Sequence, residues 1–135
     1  MLSTDDLRVV AQTVYGESRG EDWNGMVAVA WVIKNRTADR RWPDSPSKVA
    51  KQPFQFSAWN VGDPNVREML MASFEDEKYL SAYAAAVAVF CGKEERDRTA
   101  GANHYHGVYL DTFPNWASDP SKETGRIGQH VFYKL

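Results

Sequence analysis

The chain has 135 residues, 43% of them hydrophobic and 25% charged, which is typical of one ordinary globular domain with its own core. Its formal net charge of −2 does not favour nucleic acid or anionic lipid as a partner. No apolar run approaches membrane-spanning length, and no repeat or long linker divides the sequence. We therefore predict a single domain over residues 1–135, without membrane insertion and without an obligate partner, as a monomer.

The first predicted element is a helix that begins at Ser3 or Thr4 and carries acidic residues in its first turn, where they suit the helix dipole. Apolar residues then recur on one face, at Leu7, Val10, Ala11 and Val14. Glu17 continues this stripe, three residues after Val14. Its side chain is therefore expected to point toward the interior.

Two glycines, Gly16 and Gly20, bracket Glu17 and are expected to end or distort the helix. Arg19 would oppose a raised pKa of Glu17 if the two side chains paired, so we expect Arg19 to point elsewhere. Glu21 follows Glu17 by four residues and is a candidate second carboxylate. The helix break at Gly20 makes such a pair doubtful.

A second helix is predicted from near Asp22 through "NGMVAVAWVIKNR", apolar nearly all round and therefore central. A strand over "VAVAWVI" is the alternative, which the length of the segment disfavours. Prolines then indicate turns around a short helix near Ser47–Lys51. The next helix is predicted to open at Asp63-Pro64 and to run through about Ser73.

A long helix is predicted from Asp76 to Gly92, with Cys91 expected as a small buried hydrophobe. As the single cysteine, Cys91 excludes an intrachain disulfide and a CxxC metal pair. The segments "NHYHGVYL" and "IGQHVFYKL" are rich in aromatic and β-branched residues, as strands are. The predicted fold class is α+β, mainly helical, with a small C-terminal β element.

Glu17 is the leading candidate for chemistry. A carboxyl withdrawn from water prefers its neutral form, which raises its pKa and lets it donate a proton to a glycosidic oxygen. The alternative is a glutamate at a frayed helix end, in water.

The three histidines suggest a second possibility. His104 and His106 would project from one face of a strand, and with His130 and an acidic residue they could form a zinc site. No HExxH motif or Cys/His cluster supports the metal, and hydrogen-bonding histidines that orient loops or substrate are the alternative. GxSxG, phosphate-loop and dinucleotide motifs are absent.

Aromatic and polar residues alternate in "PFQFSAWN". Gln55, Phe56 and Trp59 combine stacking with hydrogen bonding at short range, as a sugar groove requires, although ordinary loop packing would use the same residues.

Together the motifs "VYGESRGE", "GMVAVAWVIKNR", "WPDS", "QFSAW", "NHYHGVY", "PNWA" and "RIGQHVFY" resemble the cell-wall hydrolase family of the spore-cortex-lytic enzymes, from about Leu7 to Tyr133. The resemblance implies a fold related to lysozymes and lytic transglycosylases that acts on peptidoglycan glycan strands without metal or cofactor. It places the catalytic glutamate at Glu17, which would protonate the oxygen leaving from N-acetylmuramic acid. The resulting carboxylate would then take the proton of the C6 hydroxyl and close a 1,6-anhydro ring.

The resemblance also implies the substrate-binding residues. Gln55, Phe56 and Trp59 are expected to line the groove, and His104, Tyr105 and His106 to flank the glutamate. Trp116 in "PNWA" is a further candidate for substrate contact, and His130 is expected to be structural. Hydrolytic muramidase activity, a zinc-dependent amidase or peptidase, and a non-catalytic wall-binding module stay open as alternatives.

The N-terminus shows no basic region followed by an apolar segment, so no signal peptide is predicted. We expect synthesis in the cytoplasm and action on the cell wall. A bacteriophage-type lysin released by a holin fits this pattern, and so does an excised domain of a longer enzyme.

Overall fold

The computed structural model describes residues 2–18, 20–52, 55–60, 62–63, 65–92 and 95–135. The elements in chain order are helices α1 (Thr4–Glu17), α2 (Trp23–Thr37), α3 (Pro46–Ala50), α4 (Asn65–Met71) and α5 (Glu77–Phe90), then strands β1 (His104–Gly107), β2 (Glu123–Ile127) and β3 (His130–Tyr133). Short 3-10 helices lie at Ser57–Trp59, Asn115–Ala117 and Pro120–Lys122. The predicted fold class, mainly helical with a small C-terminal β element, is confirmed.

Helix α1 begins where the sequence predicts. The side chain of Ser3 accepts a hydrogen bond from the backbone of Asp6, and the Asp6 side chain accepts one from the backbone of Ser3. The apolar stripe is buried, with Val10 and Val14 fully inaccessible to solvent. Glu17 is the last residue of the helix, and Ser18 follows it as the C-cap.

Helix α2 is the central element. Asp22 caps it, and its side chain accepts a hydrogen bond from the backbone of Gly25. The residues between Met26 and Ile33 are buried except for the partly exposed Trp31, so the helix prediction is confirmed and the strand alternative is wrong. Helices α1 and α2 both pack against α5, which completes the helical core.

The short helix predicted near Ser47–Lys51 is α3 (Pro46–Ala50), which Ser45 caps, and the long helix predicted from Asp76 is α5, which Asp76 caps. Helix α4 ends at Met71, two residues short of the predicted end, and Pro64, its predicted opening residue, lies outside the described residues. The prediction for Cys91 is wrong, because Cys91 is the C-cap of α5 and its side chain is exposed beyond the last helical turn.

The strands form one antiparallel sheet in the order β1-β3-β2. Tyr105 pairs with Phe132, so these side chains share the face toward the helices, whereas His104 and His106 lie on the opposite face. Strand β2 is not predicted from the sequence. It pairs with β3 through an irregularity between Glu123 and Gly125. Strand β1 is an edge strand of this sheet.

In the part of the chain that the structure describes, no helix combines the length and apolar character required to cross a membrane.

Candidate active site

A cleft of about 390 Å³ lies between the end of α1, the segment that contains Ser57, strand β1 and the segment that follows it. The described residues that line it are Glu17, Arg36, Gln55, Ser57, His104, Tyr105, His106, Gly107, Tyr109, Leu110, Pro114, Trp116 and His130. Glu17 is the one carboxylic acid among these lining residues. The cleft therefore combines a single acid with aromatic rings and neutral hydrogen-bonding groups.

The Glu17 carboxyl is held by two hydroxyls from different parts of the fold. The Tyr105 hydroxyl donates to Oε1 at 2.9 Å, and the Ser57 hydroxyl donates to Oε2 at 3.2 Å. Because Tyr105 lies on β1 and Ser57 opens a 3-10 helix, the sheet and the loop together fix this side chain at the end of α1.

Burial raises the pKa of Glu17 above its ordinary value, and desolvation is the largest influence. Hydrogen bonds from Tyr105, Ser57 and the backbone of Ala58 oppose this shift, while the nearby charge of Asp63 adds to it. The net direction is upward, as a proton donor near neutral pH requires. Arg19, which was expected to point away, lies outside the described residues.

Tyr105 connects Glu17 to the sheet. Its ring packs against Phe56, His130 and Phe132, with ring centres 6.3, 4.8 and 5.6 Å away. Burial and the neighbouring Glu17 carboxyl raise the pKa of Tyr105 well above its usual range, so its hydroxyl stays protonated and acts as a donor.

His104 and His106 share one face of β1, as predicted. Both rings contact Trp116, with centre-to-centre distances of 4.9 and 5.8 Å. Burial, with the charges of Arg36 and Arg41, lowers the pKa of His104 to about 4, so its imidazole is neutral near pH 7. His104 Nδ1 lies 2.8 Å from Asn103 Oδ1.

His106 uses both ring nitrogens inside the protein. Its Nδ1 lies 2.9 Å from the Gly107 carbonyl oxygen, which can only accept, so in the neutral ring Nδ1 carries the proton. Nε2 lies 2.9 Å from the Tyr133 hydroxyl and accepts from it. No three His, Cys, Asp or Glu side chains converge as metal ligands among the described residues, so the zinc alternative has no ligand set there.

His130 was expected to be structural, yet it lines the cleft. Its ring is largely buried, and burial lowers its pKa although the Glu21 carboxylate opposes that shift. Its Nδ1 lies 3.5 Å from Glu21 Oε1. His130 thus contacts both Tyr105 in the cleft and the buried carboxylate behind it.

Glu21 does not line the cleft and is 7% exposed. Its Oε1 accepts a hydrogen bond of 2.7 Å from the backbone of Gln129. Gly128 has a positive φ of 57°, and a Cβ built there would lie 2.0 Å from Glu21 Oε2. Glu21 therefore anchors the turn between β2 and β3 and does not pair with Glu17 across the cleft.

Two of the three residues from the aromatic segment do not line the cleft, contrary to the prediction. Phe56 is 1% exposed and packs in the core beneath Tyr105. Trp59 packs against α1, where its Nε1 donates to Thr13 Oγ1 at 2.7 Å, and Lys51 lies over its ring. Both rings pack against the hydrophobic core, and of the three residues only Gln55 lines the cleft.

Arg36, Ser57 and Tyr109 line the cleft but were not predicted as site residues. Arg36 had a detectable signal, because it lies four residues after Val32 and continues the buried face of α2. Ser57 opens a single 3-10 turn and Tyr109 lies in a turn after β1, and neither segment is long enough for a periodic pattern that fixes side-chain direction.

Comparison with known proteins is consistent with this architecture. The sequence profile of the family described as Cell Wall Hydrolase matches residues 20–133. The spore cortex-lytic enzyme of Bacillus subtilis is 46% identical over 132 residues, which cover 97% of this chain and 38% of that protein. Glu17 lies just before the matched range, so its role is not carried by the family match.

Two solved structures have the same fold. The catalytic domain of the Bacillus cereus SleB protein has a TM-score of 0.78 and 30% identity, with 99% of this chain and 93% of that chain covered. The catalytic domain of the germination-specific lytic transglycosylase SleB from Bacillus anthracis has a TM-score of 0.74 and 31% identity, with 98% and 96% covered.

The chain spans between 35% and 45% of the length of the first curated relatives, whereas it covers almost all of the two catalytic-domain structures. The match of the family profile over most of the sequence confirms the predicted resemblance. The chain belongs to the cell wall hydrolase family.

Proposed function

We propose that this chain cleaves the glycan strands of peptidoglycan between N-acetylmuramic acid and N-acetylglucosamine, with Glu17 as the single acid and base. The observation that carries the proposal is the placement of Glu17. Its carboxyl is the one acid among the described residues that line the cleft, and burial raises its pKa. A protonated carboxyl in a partly dry cleft can protonate a glycosidic oxygen.

Both oxygens of the proposed acid are oriented by the protein: the Ser57 hydroxyl lies 3.2 Å from Oε2, and the Tyr105 hydroxyl lies 2.9 Å from Oε1. Tyr105 holds Oε1 and orients the group.

In the first step the Glu17 proton moves to the oxygen between the sugars, and the bond from that oxygen to C1 of N-acetylmuramic acid breaks. The Glu17 carboxylate then accepts the proton of the C6 hydroxyl as O6 bonds to C1, which gives a 1,6-anhydro product. Glu17 is reprotonated by the end of the cycle, and no water molecule is consumed. A second carboxylate is not required, which agrees with the placement of Glu21 outside the cleft.

The relatives support this choice of reaction. A structure that shares the fold over 98% of this chain is described as a lytic transglycosylase, and curated relatives are described as spore cortex-lytic enzymes. The helices and Phe132 of the sheet share one hydrophobic core, which supports our proposal that residues 1–135 work as a single catalytic domain.

Digestion of purified peptidoglycan, followed by mass spectrometry of the soluble products, tests the proposal. We expect 1,6-anhydromuramic ends from the wild type and release of soluble fragments by Glu17→Gln that is slower by about 10²- to 10⁴-fold. Products with reducing muramic ends would show that the enzyme hydrolyses the glycosidic bond and does not close an anhydro ring. Products with cleaved peptide or amide bonds would contradict the proposal that the enzyme cleaves a glycosidic bond. Retention on cell walls without release of fragments would indicate a binding module.

Action at the cell wall follows from the proposed substrate. Release of a phage-type lysin through a holin stays a prediction, and the curated relatives that match nearly the whole chain are spore enzymes. The monomeric state and the absence of nucleic-acid partners likewise stay predictions.

A further inference from the structure

Arg36 places a positive charge at the base of the cleft. It is 4% exposed, and its Nε donates to the Asn103 carbonyl oxygen at 2.7 Å while Nη1 donates to Gln55 Oε1 at 3.1 Å. The guanidinium carbon lies 5.4 Å from the ring centre of Trp42 and 5.2 Å from that of Phe56. Burial lowers the pKa of Arg36 to about 10, so the group is charged near pH 7.

These contacts fix the orientation of the guanidinium. One hydrogen bond ties it to the residue before β1, and two rings confine its plane, so it cannot turn freely. A guanidinium only donates hydrogen bonds. Whatever faces its Nη1 atom must therefore be an acceptor.

The side chain of Gln55 faces Nη1 of Arg36, and this contact decides which way the Gln55 amide is turned. The amide oxygen must point at Arg36, since the reverse orientation would place two donors against each other. The amide nitrogen then points away from Arg36. No described residue accepts a hydrogen bond from it, and the Gln55 side chain lines the cleft and is exposed.

We propose that Arg36 is a positioning residue that holds the Gln55 amide with its NH2 group toward the cleft, and that this NH2 group donates to the carbonyl oxygen of an acetamido group on the glycan strand. This inference rests on the proposed function. A sugar hydroxyl can donate or accept and would tolerate either amide orientation, whereas an amide carbonyl only accepts. A fixed donor therefore selects most strongly for the acetamido carbonyl.

The test compares native peptidoglycan with a chemically de-N-acetylated portion of the same preparation, and a re-acetylated portion serves as the substrate control. The ratio of kcat/KM on the two substrates is measured for the wild type, Gln55→Glu, Gln55→Ala, Arg36→Met and Arg36→Lys. Gln55→Ala removes the donor without adding charge and is the deciding variant. Gln55→Glu keeps the shape and the acceptor for Arg36, but its negative charge also attracts the ammonium group of the de-N-acetylated sugar. Thermal unfolding of each variant checks that it folds.

We expect Gln55→Glu and Gln55→Ala to lower the ratio of kcat/KM on the acetylated substrate to kcat/KM on the de-N-acetylated substrate by about three- to tenfold. This is the range of one neutral hydrogen bond. Arg36→Met should narrow it as well, mainly through KM, because the freed amide can turn. Arg36→Lys should retain part of the preference. The double variant Arg36→Met with Gln55→Ala should show no narrower preference than Gln55→Ala alone.

If the Gln55 variants lose kcat/KM equally on both substrates, the inference is overturned. Gln55 would then bind a sugar hydroxyl or only support the loop. An unchanged preference in Arg36→Met, in a variant that unfolds at the wild-type temperature, would overturn the positioning role. If the wild type releases no fragments from native peptidoglycan, the proposed function itself fails. The two failures are therefore distinguishable.

Discussion

Glu17 and Glu21 are four residues apart, and both carboxyls are withdrawn from solvent, yet the fold gives them opposite surroundings. Glu17 ends α1 at the cleft and is held by hydroxyls of Tyr105 and Ser57. Glu21 faces the turn before β3, where it accepts from the Gln129 backbone beneath Gly128. The Glu17 carboxyl lines the cleft, whereas the Glu21 carboxyl is covered by the turn at Gly128 and Gln129.

This comparison shows that local sequence does not decide which carboxyl can do chemistry. The helix ends at Glu17, and the backbone of Glu21 bonds back to Ser18, so the two side chains diverge within one turn of chain. Glu17 is raised in pKa by a partly open, partly dry environment, whereas Glu21 supports a turn. We therefore expect changes at Glu17 to affect the reaction and changes at Glu21 to affect stability.

The largest expected effect comes from the same substitution at both positions. Glu17→Gln should lower kcat/KM on peptidoglycan by about 10²- to 10⁴-fold, the usual contribution of a general acid. Glu21→Gln retains an oxygen that can accept from Gln129, so its activity should stay within about threefold of the wild type. Release of soluble fragments measures both. Comparable losses at the two positions would remove the functional distinction between them.

Stability should respond in the opposite order. Glu21→Ala removes the buried carboxyl that accepts from the Gln129 N–H, so we expect the free energy of unfolding to fall by about 1–3 kcal/mol. Chemical denaturation with urea measures this change. An unchanged midpoint would mean that Glu21 does not anchor the turn.

Glu17→Gln should instead raise stability at neutral pH. The raised pKa means that the folded state holds the Glu17 proton more tightly than the unfolded state does. The corresponding stability is present at low pH and is lost as pH rises through the folded pKa. Glutamine avoids this loss, so its stabilising effect should be larger at pH 7 than at pH 4. Denaturation midpoints at both pH values measure it, and a variant less stable at pH 7 would contradict the account.

A smaller effect should separate the two hydroxyls. Tyr105→Phe and Ser57→Ala each remove a hydrogen bond that lowers the pKa of Glu17, and the bond from Tyr105 is the stronger influence. Both variants should therefore move the basic limb of the pH–rate profile to higher pH, with the larger move in Tyr105→Phe. A move toward lower pH in either variant would show that its hydroxyl does not stabilise the carboxylate.

The sequence predicts the parts of the fold whose signals are local. Ser3 caps α1 as predicted, α2 begins next to Asp22 as predicted, and Glu17, at the end of the α1 stripe, is half-buried and lines the cleft. The same periodic argument applied to α2 would have identified Arg36. Helices thus reveal their inward-pointing polar residues in the sequence.

The parts that failed depend on tertiary contacts. Gln55 and Phe56 are neighbours in an irregular segment, where nothing periodic indicates that one reaches the cleft and the other the core. Strand β2 was missed because Gly125 and exposed polar residues hide it, and it exists through pairing with β3. Cys91 was misplaced because one residue decides whether a side chain ends the buried helix face or follows it.

The pKa of Glu17 itself tests the central claim most directly. A titration of the side-chain carboxyl carbons by NMR, with Glu17→Gln used to assign the Glu17 signal, reports this value in the intact protein. The account predicts a midpoint above the ordinary range for glutamate, because burial outweighs the hydrogen bonds from Tyr105 and Ser57. A midpoint at or below about 4.3, the value of a free glutamate side chain, would contradict it.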